Sequence, residues 1–148
     1  MLVALTGAAA LLLAASALPA ASTLILPTHT LGARYYKVKQ ATIWSNVCVK
    51  GWTKTIRPPP SYTSAIKKQQ LADWGYPDQN PSHYEEDHLI SLELGGAPWS
   101  KKNLWPEPLS QAKKSDPREN AWHKQLCNGT LTLSQAQHAE VAYKRANG

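Results

Sequence analysis

Between Leu89 and Trp105 the chain runs Leu89–Leu94 (LISLEL), then Gly95-Gly96, then a short polar stretch to Asn103-Leu104-Trp105, closed by Pro106 and Pro108. Two short apolar pieces around a glycine pair, the second stopped by prolines, predict a β-hairpin. Helical segments are expected around it. Asp116 suits an N-cap, Pro117 the first helical position and Glu119 the third, so a helix should run from Asp116 through Trp122 and Leu126 to about Asn128-Gly129. A last helix follows Thr132 or Ser134, with Ser134 and Gln137 spaced as a capping box. Ahead of the hairpin, Ala41–Trp52 reads as extended, Arg57–Ser61 as a stiff proline connector, Ser64–Trp74 as a helix ended by Gly75 and Pro77, and Asp78–Ser82 as a turn-rich loop. The pattern is α+β.

A length of 148 residues suits one domain and excludes a multidomain machine. Two cysteines are too few for a four-thiolate zinc site or a dense disulfide framework. The net charge of +6 is unevenly placed. From Arg34 to Lys68 there are basic residues and no acid, whereas Glu85, Glu86, Asp87 and Glu93 form an acidic knot. A basic flank beside such a knot is what a metal site processing a polyanion needs, the flank holding phosphates and the knot a cation. A solvated surface with chance clustering is the alternative.

Residues 2–18 (LVALTGAAALLLAASAL) are apolar and uncharged, and Leu18-Pro19-Ala20-Ala21-Ser22 offers small residues for signal peptidase. A signal peptide over residues 1–21, cleaved near Ala20 or Ala21, is expected, although no Lys or Arg precedes the apolar run. An uncleaved anchor is the rival, but Arg34, Lys37 and Lys39 would then hold the domain in the cytoplasm. Export places the mature chain in a secreted or periplasmic location, with residues 22–40 as a lead. Cys48 and Cys127 then pair most simply as a disulfide, which on the chain-entropy model constrains the unfolded chain by about 4.5 kcal/mol. Two buried free thiols are the alternative.

Asp87-His88, Gly95-Gly96, Asn103-Leu104 and a later histidine resemble the HNH endonuclease motif of the ββα-metal nucleases, over the segment from Tyr84 to His123. The flanking stretches Gly51-Trp52, YEEDHL, LGGAP, NLWPEP and the SQAQ helix are similar to small exported bacterial proteins with an HNH-like core. The resemblance implies a small ββα-metal core of hairpin and helix, with flanking helices and a short N-terminal extended segment, residues 41–148 forming a single nuclease domain. It implies an exported endonuclease hydrolysing phosphodiester bonds of DNA, or of RNA, with low sequence specificity. One divalent metal ion, Mg, Mn, Zn or Ni, is its expected cofactor. Nucleic acid is the expected partner, with no stable membrane association after signal cleavage and a monomeric state.

Phosphodiester hydrolysis needs a base that works near neutral pH, and His88 is the candidate; the bland alternative is an imidazole merely hydrogen-bonded in the hairpin. Asp87 is the first metal ligand on this reading. On an extended segment it would point away from His88, so a bend must bring both to one pocket. Asn103 would orient His88 and pin the loop through its amide. A second ligand at ordinary spacing falls near Ala112, which cannot bind metal, so the role passes to His123. Glu119, one turn earlier on the same face, is a third ligand or a capping residue. Glu85 could support Asp87 or His88 from behind. Lys101, Lys102, Lys113, Lys114, Arg118 and Lys124 surround the motif and could grip phosphates, each being otherwise a surface cation. His29, His83 and His138 read as surface residues, and the tryptophans as core or rim. Two other classes compete: a non-catalytic basic module that binds nucleic acid or another polyanion on a degenerate HNH core, and a metal-free ribonuclease using His88 and His123 as an acid–base pair.

Overall fold

Three prolines open the first long helix. In the computed structural model, which describes residues 23–148, α1 (Trp52–Ile56) leads through Pro58-Pro59 to α2 (Pro60–Asp73), where Pro60 at the first position fits its fixed φ to the helix. The expected signal segment, 1–21, lies outside the described residues. After α2 comes an antiparallel ribbon, β1 (Tyr84–His88) and β2 (Leu104–Pro108), paired from Tyr84↔Pro108 to His88↔Leu104. Then follow α3 (Leu109–Cys127) and α4 (Leu133–Asn147), giving an α+β fold with one hairpin.

Alternation along the ribbon separates two faces. Glu85, Asp87, Trp105 and Glu107 share the face toward α3 and α4; Tyr84, Glu86, His88 and Leu104 share the face toward α2. Pro106 and Pro108 lie within β2 rather than ending it. They occupy positions whose missing N–H would point away from β1, which a two-stranded ribbon tolerates. The outer edge of β2 is served by side chains: Thr30 Oγ1 and Gln70 Nε2 donate to the Leu104 carbonyl, and the Tyr76 hydroxyl to that of Pro106.

The hairpin is present, but its first strand is not Leu89–Leu94. That segment is a loop ending in a 3-10 turn at Leu92–Leu94. Leu89, Ile90, Leu92 and Leu94 are all buried, so no face of the run alternates toward water. Its backbone is satisfied by side chains instead: Ile90 N donates to Asn103 Oδ1 and Ser91 N to Glu140 Oε1. Gly96 closes the loop where nothing larger fits, since a Cβ there would stand 1.7 Å from the Ile90 carbonyl oxygen.

Three other boundaries differ from expectation. Gln40–Ser45 is a 3-10 turn rather than extended, because Thr42 and Asn46 bond their own neighbourhood: Lys39 N donates to Thr42 Oγ1 and Val47 N to Asn46 Oδ1. α3 begins at Leu109, ahead of Asp116, with Pro117 inside it on an exposed stretch, where a carbonyl left without its helical donor is open to solvation rather than sealed in the core. α4 follows Thr132, one of its two expected starts, but the capping box is formed by Thr132 and Gln135 rather than Ser134 and Gln137.

The lead is built into the fold. The amides of Leu31, Gly32 and Ala33 converge on the Lys102 carbonyl, Arg34 bridges Gly96, and the Ile25 backbone exchanges two hydrogen bonds with the Gln111 amide. Cys48 and Cys127 form a disulfide across 79 residues, beside a core of Val38, Ile43, Val47, Ile90, Leu94, Leu126, Leu133 and Ala136. Among the described residues, no helix is long and apolar enough to cross a membrane.

Candidate active site

The buried face of α4 carries Leu133, Ala136, Gln137, Glu140 and Lys144. Ending an apolar stripe with two charged residues sends both into the interior. The Lys144 side chain is 0% exposed. Its ammonium pairs with Asp87 Oδ2, lies 2.6 Å from Glu119 Oε1 and donates to the His88 carbonyl at 2.9 Å. Glu107 Oε2 is 3.8 Å away and Glu140 Oε1 3.9 Å. Ser115 Oγ donates to the other Glu107 oxygen.

So many carboxyls cannot all ionise around one ammonium. Burial would raise the Asp87 carboxyl, but the Lys144 charge overcomes this and holds it at about 2. Burial, reinforced by the Asp87 charge, pushes Glu107 up to about 10 and Glu119 up to about 8. Burial raises Glu140 well above the usual carboxylate range despite Lys144. The centre therefore favours one ammonium facing one carboxylate, Asp87, with Glu107, Glu119 and Glu140 all biased toward their neutral forms. Glu85, opposite Glu107 in the ladder, is raised by burial and by Asp87.

His88 ends β1 on the other face, and the ladder is regular up to it, without the bend that would swing it beside Asp87. It is 4% exposed, and its Nε2 is 3.0 Å from the Pro98 carbonyl oxygen. A carbonyl only accepts, so Nε2 carries the proton and Nδ1 the lone pair. Burial lowers the imidazole pKa, outweighing the Asp87 charge and the Pro98 hydrogen bond that raise it, with smaller help from the Arg57 and Lys144 charges. The loop that presents Pro98 is stapled by Asn103: its Nδ2 donates to the carbonyls of Ile90 and Ala97, and its own carbonyl accepts from Leu89 N.

His123 is held elsewhere. Its Nε2 lies 2.8 Å from the Val47 carbonyl oxygen and its Nδ1 3.6 Å from Glu93 Oε2. Of the donors expected to share a metal, Asp87 and Glu119 converge, but the point between them is filled by Lys144 Nζ, and His123 is engaged with other partners. These residues do not fit a divalent ion at the expected place. Oxygens of Glu85, Asp87 and Glu107 lie within 4.8 Å of one another, yet this grouping borders the same ammonium. Cys48, His123 and Cys127 also approach one another, but sulfurs joined in a disulfide offer no thiolate.

Beside the centre a cleft of about 230 Å³ is walled by Arg57, Thr53, Glu93, Asp116, Glu119 and Asn120. Glu119 thus spans from the cleft to Lys144. Arg57 is the cation on the cleft wall, and its charge acts on both His88 and Glu93. Lys101, Lys102, Lys113, Lys114, Arg118 and Lys124 are exposed and do not line it. Lys101 Nζ donates to Gln69 Oε1, and the Arg118 guanidinium lies 4.6 Å from the Tyr143 ring centre.

No family model, curated protein or solved structure matches this chain. Its chemistry is therefore read from the site itself. Arg57 enters the sequence reading only within the basic flank and the proline connector, and three further residues central to the site escape it: Glu107, Glu140 and Lys144. For the last two a signal existed, because both fall on the apolar face of a clearly amphipathic helix, where a charge needs a buried partner.

Proposed function

We propose that the protein is an exported phosphodiesterase that cleaves nucleic acid, DNA before RNA, at the cleft between Arg57 and Glu119. The observation that carries this reading is the cleft itself, with the Arg57 guanidinium and the Glu119 carboxyl, raised to about 8 by burial, on its walls, and with the buried His88 within reach of the Arg57 charge. The Arg57 guanidinium pairs with the non-bridging oxygens of a phosphate in the cleft. His88 is buried and not on the cleft wall. On this reading the attacking water passes from the cleft to its Nδ1 and gives up a proton there, and protonated Glu119 returns one to the departing oxygen. Arg57 offsets the charge that builds on the phosphoryl oxygens. Asn103 acts at one remove, holding the loop whose Pro98 carbonyl fixes the His88 tautomer. Exposed lysines contact the nucleic-acid backbone, so binding should weaken steeply with salt and carry little sequence preference.

The test is digestion of supercoiled plasmid by the purified mature chain. His88→Ala should lose about 10²- to 10⁴-fold in rate while retaining its circular dichroism. The rate should fall above about pH 8 as Glu119 ionises, and Glu119→Gln should abolish that limb. Equal cleavage by His88→Ala would overturn the assignment. Tight binding of plasmid without cleavage would leave the non-catalytic module as the better description.

A further inference from the structure

An ammonium has three N–H donors, and Lys144 meets three close oxygens: Asp87 Oδ2, Glu119 Oε1 at 2.6 Å and the His88 carbonyl at 2.9 Å. Glu107 and Glu140 complete the shell at 3.8 and 3.9 Å. Oxygens gathered in this way around a cation are the environment that binds a hard metal ion; here the cation is covalently attached. The lysine stem is buried along with its head, so it cannot swing into solvent and leave the place to another ion without breaking all three contacts. Nor can a dication share the centre, because it would stand beside a fixed positive charge and would have to strip protons from the neighbouring acids.

We infer that Lys144 is the resident cation of this carboxylate centre and keeps divalent metal out of it, so that no metal ion acts from this centre on chemistry at the adjoining cleft. The statement about chemistry rests on the phosphodiesterase reading; the statement about occupancy does not. On this account Lys144 is a positioning residue. It fixes the Glu119 carboxyl that reaches the cleft and holds the His88 carbonyl at the end of β1.

Manganese(II) decides the occupancy. Titrated into the wild-type chain, it should leave the His88 ring proton signals unbroadened, since an ion bound at adjacent Asp87 would broaden them strongly, and calorimetry should show no stoichiometric uptake. Broadening of His88 with uptake of one ion per chain, Lys144 being intact, would overturn the inference. Lys144→Gln removes the charge and should open the centre, binding one Mn²⁺ about 10- to 100-fold tighter than the wild type. A folded Lys144→Gln chain with no such gain would also overturn it. If that variant fails to fold, the wild-type titration decides alone. Plasmid digestion in chelator then separates the two claims. Activity that persists supports both. Absence of any nuclease activity, with or without metal, removes the phosphodiesterase reading while the manganese result still judges the occupancy. Activity that requires metal, with His88 broadened, overturns the inference alone.

Discussion

Glu86 is the acid whose burial can be weighed most directly, because it stands on the α2 side of the ribbon, away from the Lys144 centre. Both of its carboxyl oxygens are buried without a hydrogen-bond partner, and the nearby Lys67 ammonium donates to the Tyr84 carbonyl instead. Burial, with help from the Asp87 charge, raises its pKa from 4.5 to about 8, only partly offset by Lys67. A carboxyl raised on folding contributes its stability fully below the unfolded pKa and loses it as pH climbs through the folded one. Glu86→Gln cannot titrate, so it should be stabilised relative to the wild type by an amount that grows with pH. From the two pKa values the gap is about 1 kcal/mol at pH 5, about 3 kcal/mol at pH 7, and levels off at about 5 kcal/mol above pH 9. Urea unfolding of both proteins with the disulfide intact, at pH 5, 6, 7 and 8, measures this gap. Two stability curves running parallel across that range would show that Glu86 does not change protonation on folding, and the reasoning about its burial would be wrong.

The loop and the disulfide offer simpler tests. Gly96→Ala should destabilise the chain by about 3 kcal/mol or more, because the added methyl meets the Ile90 carbonyl and the Asn103 amide at 1.7 and 2.6 Å; urea unfolding measures the loss, and a change below 1 kcal/mol would mean that the loop yields easily. Replacing Cys48 and Cys127 together by serine should cost about 4 to 5 kcal/mol on the chain-entropy model, with reduction of the wild type giving a similar shift in midpoint.

What could be read from the sequence was whatever depends on neighbours along the chain. Glycine and proline marked the hairpin region, spacing marked the helices, and the two cysteines marked their bridge. Errors arose where distant groups decide. Leu89–Leu94 has the composition of a strand, but its amides are taken by Asn103 and Glu140, 13 and 49 residues further on. Asp116-Pro117 has the chemistry of a helix start, yet α3 is already under way from Leu109 and carries the proline on its wet side. Asp87 and Glu119 are expected from the sequence to share a metal ion, Glu119 as a third ligand or else a cap, and they do meet, around an ammonium. Their meeting point could not be seen, because it is defined by a lysine on the last helix whose only local clue is its position on a greasy face.

Asp87, Glu107 and Glu119 all belong to the stretch bracketed by the Cys48–Cys127 bridge, whereas the amine that neutralises them comes from beyond it, near the C-terminal end. During synthesis the acids are thus made well before their counter-charge. Without residue 144 the Asp87 carboxylate would lose the charge that holds it ionised in the interior. Docking of α4 therefore completes the interior electrostatically as well as sterically, because the last helix brings a buried ammonium to the acids of the hairpin and α3.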